Sequence, residues 1–181
     1  MKLMSESMTI KQLKYNDYKG QKYKTKILSD EYLDIEPEGD GFDIKWVKVK
    51  EPMVRVLEDD MLSEWLDNPV AYGAFDYNGK LVGFVEGFLE EWNNRYRITN
   101  ICVFDSDVRG KGIGSKLLDR IIKEAIKSGA RMAVLETQSY NSKAISFYKK
   151  HGFEIIGFDR FAYSNYGPED CNMRIEMGRK L

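Results

Sequence analysis

The chain has 181 residues, 43% of them hydrophobic, which is enough for one domain with a sizeable core and short for two. Its formal net charge of -1 gives no global basic field to attract nucleic acid or an anionic membrane. No run of about 18 apolar residues occurs and the polar N-terminus lacks the apolar core of a signal peptide, so the expected protein is cytoplasmic, without a membrane partner.

From Lys2 to Lys26 seven lysines stand against Glu6 and Asp17, with Tyr15, Tyr18 and Tyr23 between them. Basic and aromatic interleaving can contact nucleic acid, but the run has no arginine and the next segment reverses the charge, so no nucleic-acid partner is expected. Residues 30–67 carry 13 acidic side chains against Lys45, Lys48, Lys50 and Arg55. A solvated acidic surface is the ordinary reading, and steering of a polycationic acceptor is the functional one. Pro37, Gly39 and Gly41 mark a loop, and the alternation over residues 42–49 reads as a strand. Residues 60–66 predict a short helix, stopped before Asn68-Pro69. Residues 70–76 and 80–90 read as strands joined by Asn78-Gly79, a two-residue type I′ hairpin signal. Residues 91–94 then turn the chain into a strand beginning at Arg95, whose apolar residues on both faces suit a buried central strand.

A charged loop, Asp105-Ser106-Asp107-Val108, leads to Arg109-Gly110-Lys111-Gly112-Ile113-Gly114-Ser115 and an amphipathic helix. Ile113, Leu117, Leu118, Ile121, Ile122 and Ala125 share one stripe of that helix, and Ser128-Gly129 ends it. Glycines at a helix start leave backbone amides uncovered beside the positive end of the helix dipole, where phosphate oxygens bind well. Arg109 and Lys111 add charge within reach. The spacing lacks the GxxxxGK[ST] string of a P-loop. A dinucleotide fingerprint fits better, with Ser115 at the third glycine position and Glu136 as the later acid, although the charged loop interrupts the direct strand-to-helix turn.

Residues 131–138 form a further strand candidate, expected to run parallel to the central strand through a right-handed crossover. Asn141 is placed to cap a helix reaching about Lys150, with Ala144, Ile145, Phe147 and Tyr148 on its apolar face and Gly152 at its end. Strand candidates at 153–163 and 173–177 follow, separated by Gly167-Pro168. Cys102 and Cys171 make no metal spacing and no disulfide framework, and His151 is the single histidine, so neither a metal site nor a Ser-His-Asp triad is expected. A Cys102–His151 nucleophile pair is weaker than the plain reading of a core cysteine and a helix-end histidine.

Arg109-x-x-Gly112-x-Gly114, after a strand and opening a helix, resembles the acetyl-CoA pyrophosphate motif of the GNAT superfamily of N-acetyltransferases. Residues 141–153, with Asn141, Tyr148, Gly152 and Phe153, resemble its second signature in the expected order and at the expected distance. The likeness covers roughly residue 70 to the C-terminus, and Leu135-Glu136-Thr137-Gln138 resembles the branch containing streptothricin acetyltransferases. The resemblance implies an α/β fold: a mixed, mostly antiparallel central sheet with a parallel, splayed strand pair, flanked by helices. It implies one domain over 1–181, with 70–181 carrying the hairpin, cofactor and C-terminal parts and 1–68 an N-terminal part whose role it does not define.

The same resemblance implies acetyl-CoA as cosubstrate and direct transfer of its acetyl group to a primary amine. The backbone at Ile101, Cys102 and Val103 would hold the pantetheine, the amides from Arg109 through Gly110, Lys111, Gly112, Ile113, Gly114 and Ser115 the pyrophosphate, and Asn141 a further part of the cofactor. Tyr148 matches the family tyrosine that protonates the departing thiolate, a role that suits a phenol at neutral pH. Its alternative is a core aromatic. For the base, the central strand carries Thr99-Asn100 where many relatives have acidic residues, which leaves Glu86, Glu136 or an ordered water. Trp92, Asn93, Glu136 and Tyr163 are the candidates for acceptor recognition, each with an ordinary packing, turn or surface alternative. The expected acceptor is the amine of a cationic small molecule, such as a streptothricin-like antibiotic or a polyamine, with protein N-termini or lysines as the alternative. Two other readings stand beside it: a CoA-binding sensor or partner module without efficient transfer, and a dinucleotide enzyme. An exposed strand edge could pair two copies as a homodimer.

Overall fold

The computed structural model describes residues 8–104 and 110–181. In chain order the elements are β1 (Thr9–Leu13), α1 (Tyr15–Tyr18), β2 (Lys22–Glu38), β3 (Gly41–Asp60), β4 (Val70–Phe75), β5 (Leu81–Glu90) and β6 (Arg95–Val103), then α2 (Ile113–Lys127), β7 (Met132–Gln138), α3 (Ser142–Lys150), β8 (Glu154–Asp159) and β9 (Arg174–Lys180). Seven strands form a mixed sheet in the order β1-β4-β5-β6-β7-β9-β8 with one parallel pair, and β2 with β3 forms a separate two-stranded sheet. This is the α/β class expected from the sequence. The chain divides into two compact units.

The first unit takes in the described residues of Met1–Thr25, with Glu58–Ala133 and Lys180–Leu181. Its strands β1, β4, β5 and β6 pair antiparallel, with Ile10 opposite Ala74, Tyr72 opposite Val85 and Phe84 opposite Cys102. The stripe of α2 is buried as its periodicity requires, and the helix packs on β4, β5 and β6. Tyr72 of β4 fixes it there, since its hydroxyl donates to Glu124 Oε2 at 2.8 Å while the Arg120 guanidinium lies 4.2 Å from its ring centre. The helix ends in a Schellman motif: Gly129 has φ +75°, its N–H reaches Ile126 O, and Ala130 N–H reaches Ala125 O.

Two local expectations give way to other hydrogen bonds. Asp60 ends β3, and residues 61–66 run through turns and bends rather than a helix. Met61 exchanges backbone bonds with Gly20 and Gln21, and the Leu62 N–H goes to the Glu86 carboxylate, so the groups a helix would use are already taken. Leu62 accordingly adopts φ +49°, with its side chain and that of Met61 buried. The β4–β5 connection is a three-residue loop, not a type I′ turn: Asp76 N–H pairs with Lys80 O, Gly79 N–H with Asp76 O, and Gly79 alone of the loop has positive φ. Asp76 Oδ1 accepts from the amides of Asn78 and Lys80 and so takes over the turn.

The second unit takes in Lys26–Leu57 and Val134–Arg179. β9 pairs antiparallel with β8, placing Ile155 opposite Met177. Leu33 and Ile35 of β2 are buried here, as are Val134, Leu135, Ile145, Phe153, Met173 and Ile175. Ser139 joins the pieces. Its O accepts from Leu33 N–H, its N–H donates to Met173 O, and its Oγ donates to Cys171 O while accepting from Met173 N–H. α3 ends in a second Schellman motif on Gly152. Six of the 13 acids of the stretch 30–67 pair with nearby cations: Asp30 and Glu31 with Lys48, Glu36 with Arg160, Asp43 with Lys45, Glu58 with Lys24 and Glu64 with Lys19.

Gly87 stands where a Cβ would come within 2.5 Å of Arg97 O and 2.8 Å of the Tyr96 ring. One of these neighbours is backbone of the paired strand, so Gly87→Ala should lower unfolding free energy by about 2 kcal/mol or more in urea titrations, whereas Gly79→Ala, with open space around it, should lose about 1 kcal/mol through φ alone.

Candidate active site

β5 and β6 do not pair evenly. Gly87 stands opposite Ile98 and Glu86 opposite Asn100, so Thr99 is an extra residue on β6. A bulge of this kind breaks the two-residue alternation of side chains. Neighbours Thr99 and Asn100 therefore both reach one carboxylate: Asn100 Nδ2 donates to Glu86 Oε1 at 2.8 Å and Thr99 Oγ1 donates to the same oxygen at 3.2 Å. The Leu62 amide donates to Glu86 Oε2 at 2.7 Å. On the far side of Asn100, Oδ1 accepts from the Tyr23 hydroxyl at 2.7 Å, and the Tyr23 ring meets Phe84 edge-on.

Glu86 is fully buried, and among the described residues no cation forms an ion pair with it. Burial pushes its carboxyl pKa up from 4.5, while the bonds from Asn100, Leu62 and Thr99 pull it down; the balance lies above the ordinary value, with Asp59 adding to the rise. Bonds to a charged group contribute about 1.5–3 kcal/mol each. Removing a lone carboxylate from water costs several kcal/mol, and here that cost wins. A carboxylate so placed is more basic than an exposed one.

The remaining candidates fall into separate groups. Ile101 and Val103 are half-buried on β6, and Cys102 belongs to an apolar cluster with Leu13, Met61, Leu62, Ala71 and Phe84. Gly110, Lys111 and Gly112 are exposed at the start of α2. Gly110 and Gly112 have φ near +80°, and a Cβ on either would meet nothing within 4 Å, so the two leave an open backbone surface. The first helical bond runs from Lys116 N–H to Gly112 O, which puts Ile113, Gly114 and Ser115 in the first turn. Arg109 lies outside the described residues. Trp92, 84% exposed, and Asn93 sit at the opposite end of β6 from the glycines, about 30 Å of strand away. Asn93 is occupied locally: its Oδ1 takes the Arg95 amide and its Nδ2 donates to Glu90.

In the second unit the Tyr163 hydroxyl donates to Glu136 Oε1 at 3.3 Å, which brings two of the acceptor candidates together. Partial burial and the Glu136 carboxylate push the Tyr163 phenol above its ordinary pKa. Asn141 stands at the N-cap of α3 with no side-chain capping bond, and Tyr148 is buried two turns later with its ring against Phe147 and Phe153. His151 Nδ1 lies 2.8 Å from Phe147 O, a helix-end contact. Among the described residues no cluster of three His, Cys, Asp or Glu side chains offers a metal site, and no helix is long and apolar enough to cross a membrane. Sequence reasoning missed Tyr23 and Leu62. Leu62 acts through its amide, and Tyr23 is brought to Asn100 only by tertiary pairing.

Residues 29–153 match the Acetyltransferase (GNAT) family. The chain belongs to that family. This GNAT acetyltransferase is 33% identical over 147 residues to the streptothricin acetyltransferase of Streptomyces lavendulae, a match covering 76% of each chain. In fold it is similar to nourseothricin acetyltransferase, with a TM-score of 0.79, 24% identity and coverage of 96% and 98% of the two chains. It is also similar to a candidate streptothricin acetyltransferase of Bacillus anthracis solved with acetyl coenzyme A, at a TM-score of 0.70, 24% identity and 97% and 99% coverage. The enzyme class, an acyltransferase, follows from the family.

The raised pKa of Glu86 has a definite consequence for stability. Between the unfolded pKa near 4.5 and the higher folded one the native state binds more protons, so this group lowers stability as pH rises through that window. Urea titrations of wild type and Glu86→Gln from pH 4 upward should show the variant gaining relative stability with rising pH and levelling off above the folded pKa; a difference independent of pH contradicts the assignment.

Proposed function

We propose that this acetyltransferase moves the acetyl group of acetyl-CoA directly to a primary amine of a cationic small molecule, with Glu86 as the base and Tyr148 as the acid. The observation that carries the reading is Glu86 itself. β6 carries Thr99-Asn100 where many relatives have acidic residues, and the bulge turns both toward the buried carboxylate of Glu86 on β5, whose pKa burial raises. This favours the enzyme over a binding module without transfer.

A primary amine is mostly protonated at neutral pH, so the base must take a proton before the nitrogen attacks the thioester carbonyl. The amine then forms the new N–C bond, the C–S bond breaks, and the phenol of Tyr148 gives its proton to the thiolate. The exposed turn from Gly110 to Gly112, with the first-turn amides of Ile113, Gly114 and Ser115 at the positive end of α2, suits the pyrophosphate, with Arg109 and Lys111 supplying charge. Ile101, Cys102, Val103 and Asn141 take the cofactor contacts that the family resemblance gives them. The relatives' names support a small cationic acceptor, for which Glu136 and Tyr163, with Trp92 and Asn93, are the recognition candidates. The family match runs through both compact units, which supports one acetyltransferase domain over the whole chain.

The test is release of CoA thiol from acetyl-CoA across streptothricin, aminoglycosides, polyamines, single amino acids and short peptides. One cationic class should be turned over. Tyr148→Phe keeps the ring that packs on Phe147 and Phe153, so it should bind CoA normally while kcat falls about 10- to 100-fold. Transfer to peptides alone would move the acceptor to protein amines. Tight CoA binding with no transfer to any amine would favour the binding module, and tight NAD binding with none of CoA the dinucleotide reading.

A further inference from the structure

Glu86 is sealed from solvent, so an acceptor ammonium cannot touch it in this arrangement. Whatever carries the proton must bridge from the carboxylate outward. Among the described residues three donors hold Glu86, and they differ in what they can pass on. The Leu62 donor is a backbone amide, and the Asn100 donor is a side-chain amide whose orientation is fixed by the Tyr23 hydroxyl on its Oδ1. Neither amide exchanges a proton readily at neutral pH. Thr99 brings a hydroxyl, 3.2 Å from Glu86 Oε1, on a half-buried residue that the bulge has turned toward the carboxylate.

We propose that Thr99 is the proton relay of the reaction: its hydroxyl accepts the acceptor ammonium's proton while passing its own to Glu86. This rests on Glu86 being the base. The atoms balance. One N–H bond of the ammonium breaks as an O–H bond forms on Thr99 Oγ1, and the original Thr99 O–H bond breaks as one forms on Glu86 Oε1. The neutral amine keeps the electron pair with which it attacks. A hydroxyl can do this because it donates one hydrogen bond and still has two lone pairs to accept another. Asn100 plays a different part, since its bond to Tyr23 lets it hold the carboxylate in line with Thr99. Among the described residues, Asp59 and Tyr23 bring titratable groups to this assembly.

The experiment compares Thr99→Val, Thr99→Ser, Glu86→Gln and the Thr99→Val/Glu86→Gln double variant, with streptothricin or the panel amine turned over fastest as acceptor. Valine has threonine's shape without the hydroxyl. Its kcat should fall about 100-fold with KM little changed, serine should restore turnover to within about threefold of wild type, and the double variant should be no slower than Glu86→Gln alone. Full kcat in Thr99→Val beside a slow Glu86→Gln overturns the relay and leaves the base standing. Losses that multiply in the double variant also overturn it, because the two side chains would then act independently. A Glu86→Gln enzyme with wild-type kcat and pH profile removes the base, and the relay with it. Thr99→Ser as slow as Thr99→Val would overturn it too, by showing that the threonine methyl, not the hydroxyl, matters.

Discussion

A carboxylate sealed from water without a cation is costly, and the first unit is arranged around that cost. Among the described residues Glu86 is held by three donors from two places in the sequence: the Leu62 backbone amide after β3, and the adjacent side chains of Thr99 and Asn100, which the β6 bulge turns to the same carboxylate. Each attachment fixes something else. The Leu62 amide draws residues 60–66 away from helix, Asn100 positions the Tyr23 hydroxyl, and Gly87 leaves space for β6 to press close beside the bulge. Replacing the carboxylate with a packed apolar group would remove the cost, as buried ionic groups commonly allow. That a polar assembly stands there instead is the physical reason to place chemistry at it.

Catalysis of amine acylation asks for opposite properties in two groups. The base must hold a proton more tightly than an exposed carboxylate does, and the acid must still have one to give at neutral pH. Burial supplies the first at Glu86, and the proposed mechanism assigns the second to the hydroxyl of Tyr148. The glycine turn before α2 works through backbone rather than side chains: positive φ at Gly110 and Gly112, with open space beside each, leaves amide surface that any larger residue would strain or cover.

Much of this was legible in the sequence because it is local. The α2 stripe, the glycines that end α2 and α3, and the strand from Arg95 follow from spacing and backbone chemistry, and the two linked motifs carried the family. What was not legible depends on residues distant in the chain. The helix expected at 60–66 lost its amides to Gln21 and Glu86, and the type I′ signal at Asn78-Gly79 was overridden by one residue, Asp76, whose carboxylate bonds both loop amides. β2 was unseen because its alternation is interrupted by acids, which make ion pairs in the folded chain. Thr99-Asn100 depart from the acidic pattern of many relatives. Pairing makes both of them donors to an acid on the neighbouring strand β5, which no spacing within β6 could reveal.

The proposed chemistry depends on the protonation of one group, and that group can be titrated directly. With glutamate labelled at the carboxyl carbon, NMR spectra over pH, assigned by the signal lost in Glu86→Gln, give its pKa in the folded protein. A value clearly above 4.5 is the expected result. A value at or below 4.5 would mean that the three donors outweigh burial, and Glu86 would then be a structural anchor with no advantage as a base.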